Sequence, residues 1–366
     1  MKTNERLYVD VHVLQTVPPS CVNRDDTGSP KTAIYGGVPR SRVSSQCWKR
    51  AMRLMFMERL PSDKLGLRTK RIVGMIAGEL KAQYYAGDAE AAAIDLLAAA
   101  GLKIKSAEDG TDALFFMSNA QAKALAQLAL SDPDTLDKKL SKETKAKVQQ
   151  ALKESPGIDV ALFGRMVADD PSLNTDACAQ VAHSISTHKV SNEYDYFTAV
   201  DDLSPEDNAG AGHIGTVEFN SATLYRYATV AVHELHRQLK GDTVEAVSAF
   251  LYAFVCAMPT GKQNTFANRT LPDALLVTLR TDQPVNLVGA FERPVPAGDE
   301  GYVAASAASL AAHAKNTYRD FAGEPVLSLA AGRMPEGLGG ILPLRELIAT
   351  LADELQTRLG SDGDRP

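Results

Sequence analysis

Cysteine is scarce and dispersed in this chain. Its four thiols, Cys21, Cys47, Cys178 and Cys256, form no CxxC pair, and structural zinc sites need ligands paired at short spacing. They read as reduced thiols of a cytosolic protein. Long apolar runs are also missing. The alanine-rich stretches are broken by charges well before the ~18–20 apolar residues that cross a bilayer. MKTNERLYVDVHVLQT has no apolar core followed by a small-residue cleavage site, so no signal peptide is expected. The expectation is a cytoplasmic protein with no membrane partner.

Catalytic signatures are equally sparse. There is no GxSxG and no Walker loop. His233 and His236 lie three apart in VHELHR without an HExxH pattern, and a surface or capping role explains them better than a metal. His183 and His188 are five apart and would point to different faces of a helix. Gly210, Gly212 and Gly215 make a formal GxGxxG. A dinucleotide site needs a strand before it and a helix after it. Here a polar loop precedes the motif and a β-prone run follows. Asp25–Asp26 and Asp201–Asp202 are acidic pairs. Adjacent acids usually serve turns, because a metal site needs ligands converging from several elements. No cofactor and no metal are expected, and the chain is not read as an enzyme.

Among what is present, a local excess of positive charge matters most. Formal net charge is −6, which excludes a uniformly basic nucleic-acid binder but not a local cationic stripe. Between Thr27 and Met57 stand six basic residues, Lys31, Arg40, Arg42, Lys49, Arg50 and Arg53, and no acid. Ser44 and Ser45 open a helix that runs to about Leu60, with serine as its cap. On that helix Gln46, Lys49, Arg50 and Arg53 share one face, and Trp48, Ala51, Met52 and Met55 the opposite, core-anchoring one. Cations at helical spacing beside a glycine-bearing loop suit a phosphate backbone. A solvated helix face is the plain alternative, but such faces usually mix signs.

The chain is long enough for a main domain with a large insertion. Residues 7–14 alternate as a half-buried strand. Residues 15–43, with Pro18, Pro19, Gly28, Pro30, Gly36, Gly37 and Pro39, are expected to form one long functional loop. Residues 71–155 read as several helices and 177–188 as another. YDYFTAV and HIGTVEF are two strands joined by a long polar tip over residues 190–219. A separate strand (ATLYRYATVAV) follows, then a helix over 243–258, a strand over 274–281, and helices over 300–320 and 344–359. The hairpin arms carry Phe197, Ile214 and Phe219, suited to insertion between bases or into a neighbouring subunit; a floppy surface hairpin is the alternative. This order predicts an α+β fold, a palm with excursions from it.

Several segments taken together resemble one family. SCVNRDD (20–26), KTAIYGG (31–37) and RVSSQCWKRAMR (42–53) look like the N-terminal signature of the type I-E CRISPR Cascade backbone subunit, the CasC family of guide-RNA-binding RAMP proteins. The likeness recurs in GIDVALFGRM (157–166), AHSISTHKV and DYFTAVDDL (182–203), HIGTVEFNSATLYRYA (213–228) and PTGKQNTFA (259–267). It implies an RRM-like (ferredoxin-like) palm with an inserted helical fingers domain and a β-hairpin thumb. The palm would take 1–60 and 224–366, the fingers 61–180, and the thumb with its support 181–223.

The resemblance also implies a role. Copies would oligomerise along a guide RNA (crRNA), kink it periodically and present it for pairing with target DNA, beside other Cascade subunits in antiviral defence. By matching position, Arg24, Lys31, Ser44, Gln46, Lys49, Arg50 and Arg53 would hold guide phosphates, supported by Lys262 and Gln263. Met166 would wedge against bases. Phe197, Thr198 and Ile214 would belong to the thumb that splays the kinked nucleotide, Ile214 standing where relatives more often have leucine. Sequence information then lies in the guide, so the protein needs only backbone and shape contacts. The competing class is a metal-dependent ribonuclease using Asp26, as in type III relatives. A generic single-stranded RNA binder is a third reading.

Overall fold

A computed structural model of the chain describes residues 6–132, 142–167, 170–199, 202 and 213–360. The thumb-tip residues 204–212, with Gly210 and Gly212, and Asp201 lie outside the described residues. The fold is mixed α+β and divides into two compact units. The first comprises Met1–Met52, Val181–Thr229 and Phe250–Thr357; the second comprises Arg53–Gln180, Val230–Ala249 and Arg358–Pro366.

A large sheet organises the first unit. Its strands are β1 (Tyr8–Ser20), β2 (Thr32–Tyr35), β3 (Val38–Val43), β7 (Ser184–Ser186), β9 (His213–Ala231), β10 (Ala274–Arg280), β11 (Leu327–Gly332) and β12 (Gly340–Ile341), in the order β12-β11-β10-β1-β9-β7-β3-β2. Two further strands, β6 (Ala179–Val181) and β8 (Glu193–Ala199), pair with β9. β1 runs antiparallel to β10, with Asp10 opposite Thr278 and His12 opposite Leu276. The alternating pattern of residues 7–14 implied one wet face, yet Asp10 and His12 are as buried as Val9, Val11 and Val13. The reason is a second layer. Leu14, Tyr225, Tyr227 and Leu276 pack with Phe291 and with Leu310 and Ala314 of helix α10 (Val303–Thr317). Asp10 is satisfied internally at both oxygens: the Tyr227 hydroxyl donates to Oδ1 at 2.9 Å and the Val285 amide to Oδ2 at 2.8 Å, while His12 meets the Tyr225 hydroxyl at 2.9 Å through Nδ1 and leaves Nε2 unpaired.

Three sequence expectations are corrected here. Residues 15–43 are not one loop, because β1 continues to Ser20 and β2–β3 form a hairpin. Gly36 and Gly37 turn it with φ of 59° and 77°, the left-handed region that glycine enters without strain. Residues 177–188 are not a helix but the short strands β6 and β7. Pairing of Ile185 with both Arg42 and Tyr225 overrides the local pattern. HIGTVEF and ATLYRYATVAV are one continuous strand, β9, through Asn220. That residue looked like a break, but its amide is held in the sheet by Ser41 Oγ at 3.0 Å and Asn192 Oδ1 at 2.9 Å.

The second unit is mainly helical. Helices α2 (Ile72–Ala82), α3 (Ala89–Ala99), α4 (Asn119–Ser131) and α5 (Lys142–Lys153) enclose one core of Ile72, Ile76, Leu80, Leu96, Leu125 and Val148. The starts of α3 and α4 have a chemical reason. Asp88 accepts from the amides of Glu90 and Ala91, and Ser118 with Gln121 forms a reciprocal capping box. A two-stranded sheet of β4 (Gly66–Thr69) and β5 (Phe115–Ser118) accompanies them; four-residue strands left no readable periodicity. Helices α1 (Ser45–Arg59), α8 (Thr243–Cys256) and α11 (Leu344–Gly360) match their expected spans closely. Among the described residues no helix is long and apolar enough to cross a membrane.

Candidate nucleic-acid interface

The first cationic element is the loop after β1. Asp25 Oδ1 accepts from the Thr27 hydroxyl at 2.7 Å, the Thr27 amide at 2.9 Å and the Ser29 amide at 3.1 Å. These donors, the Thr27 hydroxyl foremost, hold its carboxyl below the usual range. Asp25 is thus a turn residue, and Asp26 beside it is exposed. Asn23 then joins three segments. Its carbonyl accepts from the Lys31 amide at 2.8 Å and its side chain from the Ser44 amide at 2.9 Å, while the Lys31 carbonyl accepts from the Arg42 amide at 2.8 Å. Arg24 is exposed on this loop and Lys31 is half-buried.

Not every cation of the acid-free stretch faces outward. Arg40 is wholly buried and donates to the carbonyls of Ser186 at 2.9 Å and Phe291 at 2.8 Å. Its work is internal: five donors in a rigid fork satisfy backbone that no solvent reaches. Arg42 donates to the Thr32 carbonyl and, at 3.1 Å, to His183 Nδ1. Burial first, then the charges of Arg42 and Lys31, hold His183 below its ordinary pKa, so its ring accepts as the neutral form.

Helix α1 starts at Ser44, whose buried hydroxyl accepts from the Cys47 amide at 3.3 Å. That oxygen is therefore committed to the cap. Gln46 and Arg50 are exposed and Lys49 is half-buried, burial lowering its pKa. Arg53 turns away from this company. Its Nε lies 3.4 Å from Asp159 Oδ2, and its guanidinium stacks over the Phe116 ring at 4.4 Å. The opposite face anchors as expected through Trp48, Ala51 and Met52, but Phe56 rather than Met55 completes it. Trp48 Nε1 donates to Ser184 Oγ at 3.0 Å, and the Arg226 guanidinium covers its ring at 3.7 Å.

The remaining candidates lie on distant segments. Lys262 and Gln263 are exposed at the start of the short helix α9 (Gln263–Phe266). Burial raises the Cys21 thiol's pKa, while the positive charges of Lys262 and Arg24 pull it down. Cys47 shows the same pattern with Lys31 and Arg50. Cys21 is buried and Cys47 half-buried, and around Cys21 the acids Glu218 and Asp25 oppose the two cations. The hairpin of β8 and β9 follows a different logic. Every residue of β8 is exposed. Thr198 stands opposite Ile214, and Phe197 opposite Gly215. Phe197 and Ile214 therefore lie on opposite faces, since neighbours on a strand alternate.

Met166, in the second unit, is 85% exposed. Its neighbour Arg165 is buried and donates to the carbonyls of Leu173, Phe116 and Leu152 at 2.9–3.2 Å. That clamp fixes the backbone from which Met166 projects. Among the described residues no three His, Cys, Asp or Glu side chains gather into a metal site.

The model of the CT1975-like protein family matches residues 9–341. The chain belongs to this family. Two solved structures share its fold. One, titled "CRISPR RNA-guided surveillance complex, pre-nicking", is 33% identical, covers 95% of this chain and 99% of its own, and superposes with a TM-score of 0.80. Another, titled "CRISPR RNA-guided surveillance complex", is 28% identical with the same coverage and a TM-score of 0.62. No curated protein matches the chain. The Cascade backbone resemblance carried by the sequence motifs agrees with membership of the CT1975-like family. The residues that sequence reasoning passed over in this family member are Asn23 and the Arg42–His183 pair. Asn23 stood inside the quoted SCVNRDD run, but nothing in one dimension shows that its amide would reach the start of α1.

Proposed function

We propose that this chain is a non-catalytic, guide-RNA-binding subunit that polymerises along the guide in a CRISPR surveillance complex. One observation carries the reading: Asn23 ties the loop bearing Arg24 to Lys31 and to the start of α1 through the Lys31 and Ser44 amides, and Gly261, next to Lys262, lies against Val22 of the same loop, so four cation-bearing segments of the first unit are drawn together. The matched solved structures, titled as RNA-guided complexes, support it. The sheet of the first unit would be the RRM-like palm, the second unit the fingers (61–180), and the β8–β9 hairpin the thumb within 181–223. Arg24, Lys31, Gln46, Lys49, Arg50, Lys262 and Gln263 would hold phosphates. Ser44 and Arg53 would act from behind, as cap and buried partner. Met166, Phe197, Thr198 and Ile214 would meet bases at each kink. Other copies of the chain, other Cascade subunits and target DNA paired to the guide complete the set of partners.

The ribonuclease reading is not favoured. Asp25 is occupied by its turn, and among the described residues the exposed Asp26 joins no group of three ligands of the kind that metal-dependent hydrolysis uses. The test is co-expression with a CRISPR array and the partner subunits. The protein should co-elute with guide RNA and protect it from nuclease at regular intervals. Protein that stays monomeric and free of nucleic acid under those conditions refutes the role.

A further inference from the structure

The short segment Gly261–Ala267 has a structure out of proportion to its length. Gly261 lies so close to the loop after β1 that a Cβ there would stand 2.0 Å from the Val22 carbonyl oxygen. Only glycine permits that approach. Lys262 and Ala267, on either side of α9, both adopt left-handed backbone, with φ of 52° and 46°. For residues with a side chain this conformation costs energy and persists only where the surroundings impose it. The surroundings are on both ends. Beyond Ala267, Thr270 is fastened to β1 by its hydroxyl on the Thr16 carbonyl at 2.8 Å and by Gln15 Nε2 on its own carbonyl at 2.9 Å. At the end of α9 the Phe266 ring meets Phe219 of β9 at 5.7 Å and 48°. Phe219 pairs with Glu193, the first residue of β8, and so stands at the root of the exposed hairpin.

We infer that Gly261–Ala267 is a clip that sets the hairpin arm in register with the cationic loop, with Phe266 as its positioning residue. It rests on the guide-RNA reading for its purpose, but not for its geometry. One end bears on Val22, next to the Asn23–Arg24 corner, and the other bears on the hairpin root. Between them the left-handed turn at Lys262 presents that cation outward. A rigid spacer is useful because every residue of β8 is exposed, so little burial holds the arm. The hydrogen bonds of Asn192 to Glu218 and Asn220 hold the root in the sheet, and the Phe266–Phe219 contact adds an apolar brace that fixes the arm's angle. The left-handed strain is then the cost of joining two anchors with only a few residues.

The experiment uses the full-length protein with Phe266→Ala, Phe266→Leu and Lys262→Gly. Amide hydrogen exchange is read in the free protein, and nuclease protection in the RNA-loaded one. For Phe266→Ala the predicted result is exchange about tenfold faster in 193–199 and 213–219, with the amides of β1 and β10 unchanged. RNA should still be retained with the same salt dependence, while the regular protection blurs. Phe266→Leu should restore most of both. Lys262→Gly should relax the turn, raise Tm slightly and leave the arm's exchange as in the wild type. Unchanged exchange in the arm of Phe266→Ala overturns the clip. So does an equal rise in β1 and β10, which would make Phe266 an ordinary packing residue. If the wild type retains no RNA, the functional reading fails while the exchange contrast still decides the clip.

Discussion

Arg53 Nε lies 3.4 Å from Asp159 Oδ2, and this pair separates the stabilising cations of α1 from those left facing outward. Asp159 is buried, and burial raises its pKa against the opposing pull of the Gly66 amide and of Arg53. Removing Arg53 leaves that carboxyl without its charged partner. Arg53→Ala should therefore cost about 2–4 kcal/mol in chemical denaturation, where Arg50→Ala should stay within about 0.5 kcal/mol of wild type. If both variants melt alike and both lose RNA alike, Arg53 belongs to the RNA-binding face after all.

Arg165 offers a second stability test. It is clamped over the Phe115 ring at 4.8 Å and donates to three carbonyls. Lysine carries the same charge but lacks the planar fork. Arg165→Lys should lose about 2–4 kcal/mol through buried acceptors left unpaired. It should also expose the backbone around Met166 to proteolysis, whereas Met166→Ala should leave stability unchanged. Equal stability of Arg165→Lys and wild type would contradict the clamp.

The buried pair Asp10 and His12 predicts opposite pH responses. Desolvation raises Asp10 from 3.8 to about 6, partly offset by hydrogen bonds to Val285, Thr229 and Tyr227. Desolvation, with Arg280 adding to it, lowers His12 from 6.5 to about 3. An acid with a raised folded pKa stabilises the fold in its neutral form, and that contribution is lost as pH rises through about 6. A histidine with a lowered folded pKa penalises folding once the unfolded ring protonates, as pH falls below 6.5. Between about pH 4 and 6 the two slopes oppose each other. Relative to wild type, His12→Gln should thus gain about 1.4 kcal/mol for each unit of acidification, and Asp10→Asn should gain as pH rises. Denaturant midpoints at four pH values in that range decide it; parallel curves for both variants would contradict it.

Much of this was legible in one dimension, and the failures share a cause. The helix from Ser44, its buried Trp48 face and the strand at 274–281 follow from period and capping chemistry, which are local. The strand identity of 184–186 is not local: it depends on Ile185 lying between Arg42 and Tyr225. The same applies to the cations. Spacing placed Arg53 with Lys49 and Arg50, but could not show that Asp159, over a hundred residues away, would claim it. Arg40 was counted as part of the stripe because a buried arginine and an exposed one look identical until their acceptors are known. Lys262 and Arg24 were linked only through the family resemblance, since loops far apart in sequence leave no periodic trace.

The acidic pair allows a prediction about chemistry. Asp25→Ala should loosen the loop that carries Arg24 and Lys31, because three hydrogen bonds converge on its Oδ1, and RNA retention should fall. Asp26→Asn should leave retention unchanged. Metal-dependent cleavage of guide-paired RNA that disappears in Asp26→Asn would instead make the chain a nuclease.

The most direct measurement of the central claim is the salt dependence of RNA affinity. Wild type should be compared with the combined Lys31→Ala, Arg50→Ala and Lys262→Ala variant on several unrelated guide sequences. Each lost phosphate contact should flatten the slope of log K against log salt by about 0.7 on single-stranded RNA. Three lost contacts then predict a change of about 2, the same for every guide, in a protein whose Tm is unaltered. An unchanged slope, or a loss confined to one guide sequence, would contradict a subunit that grips the backbone and leaves the bases to pair.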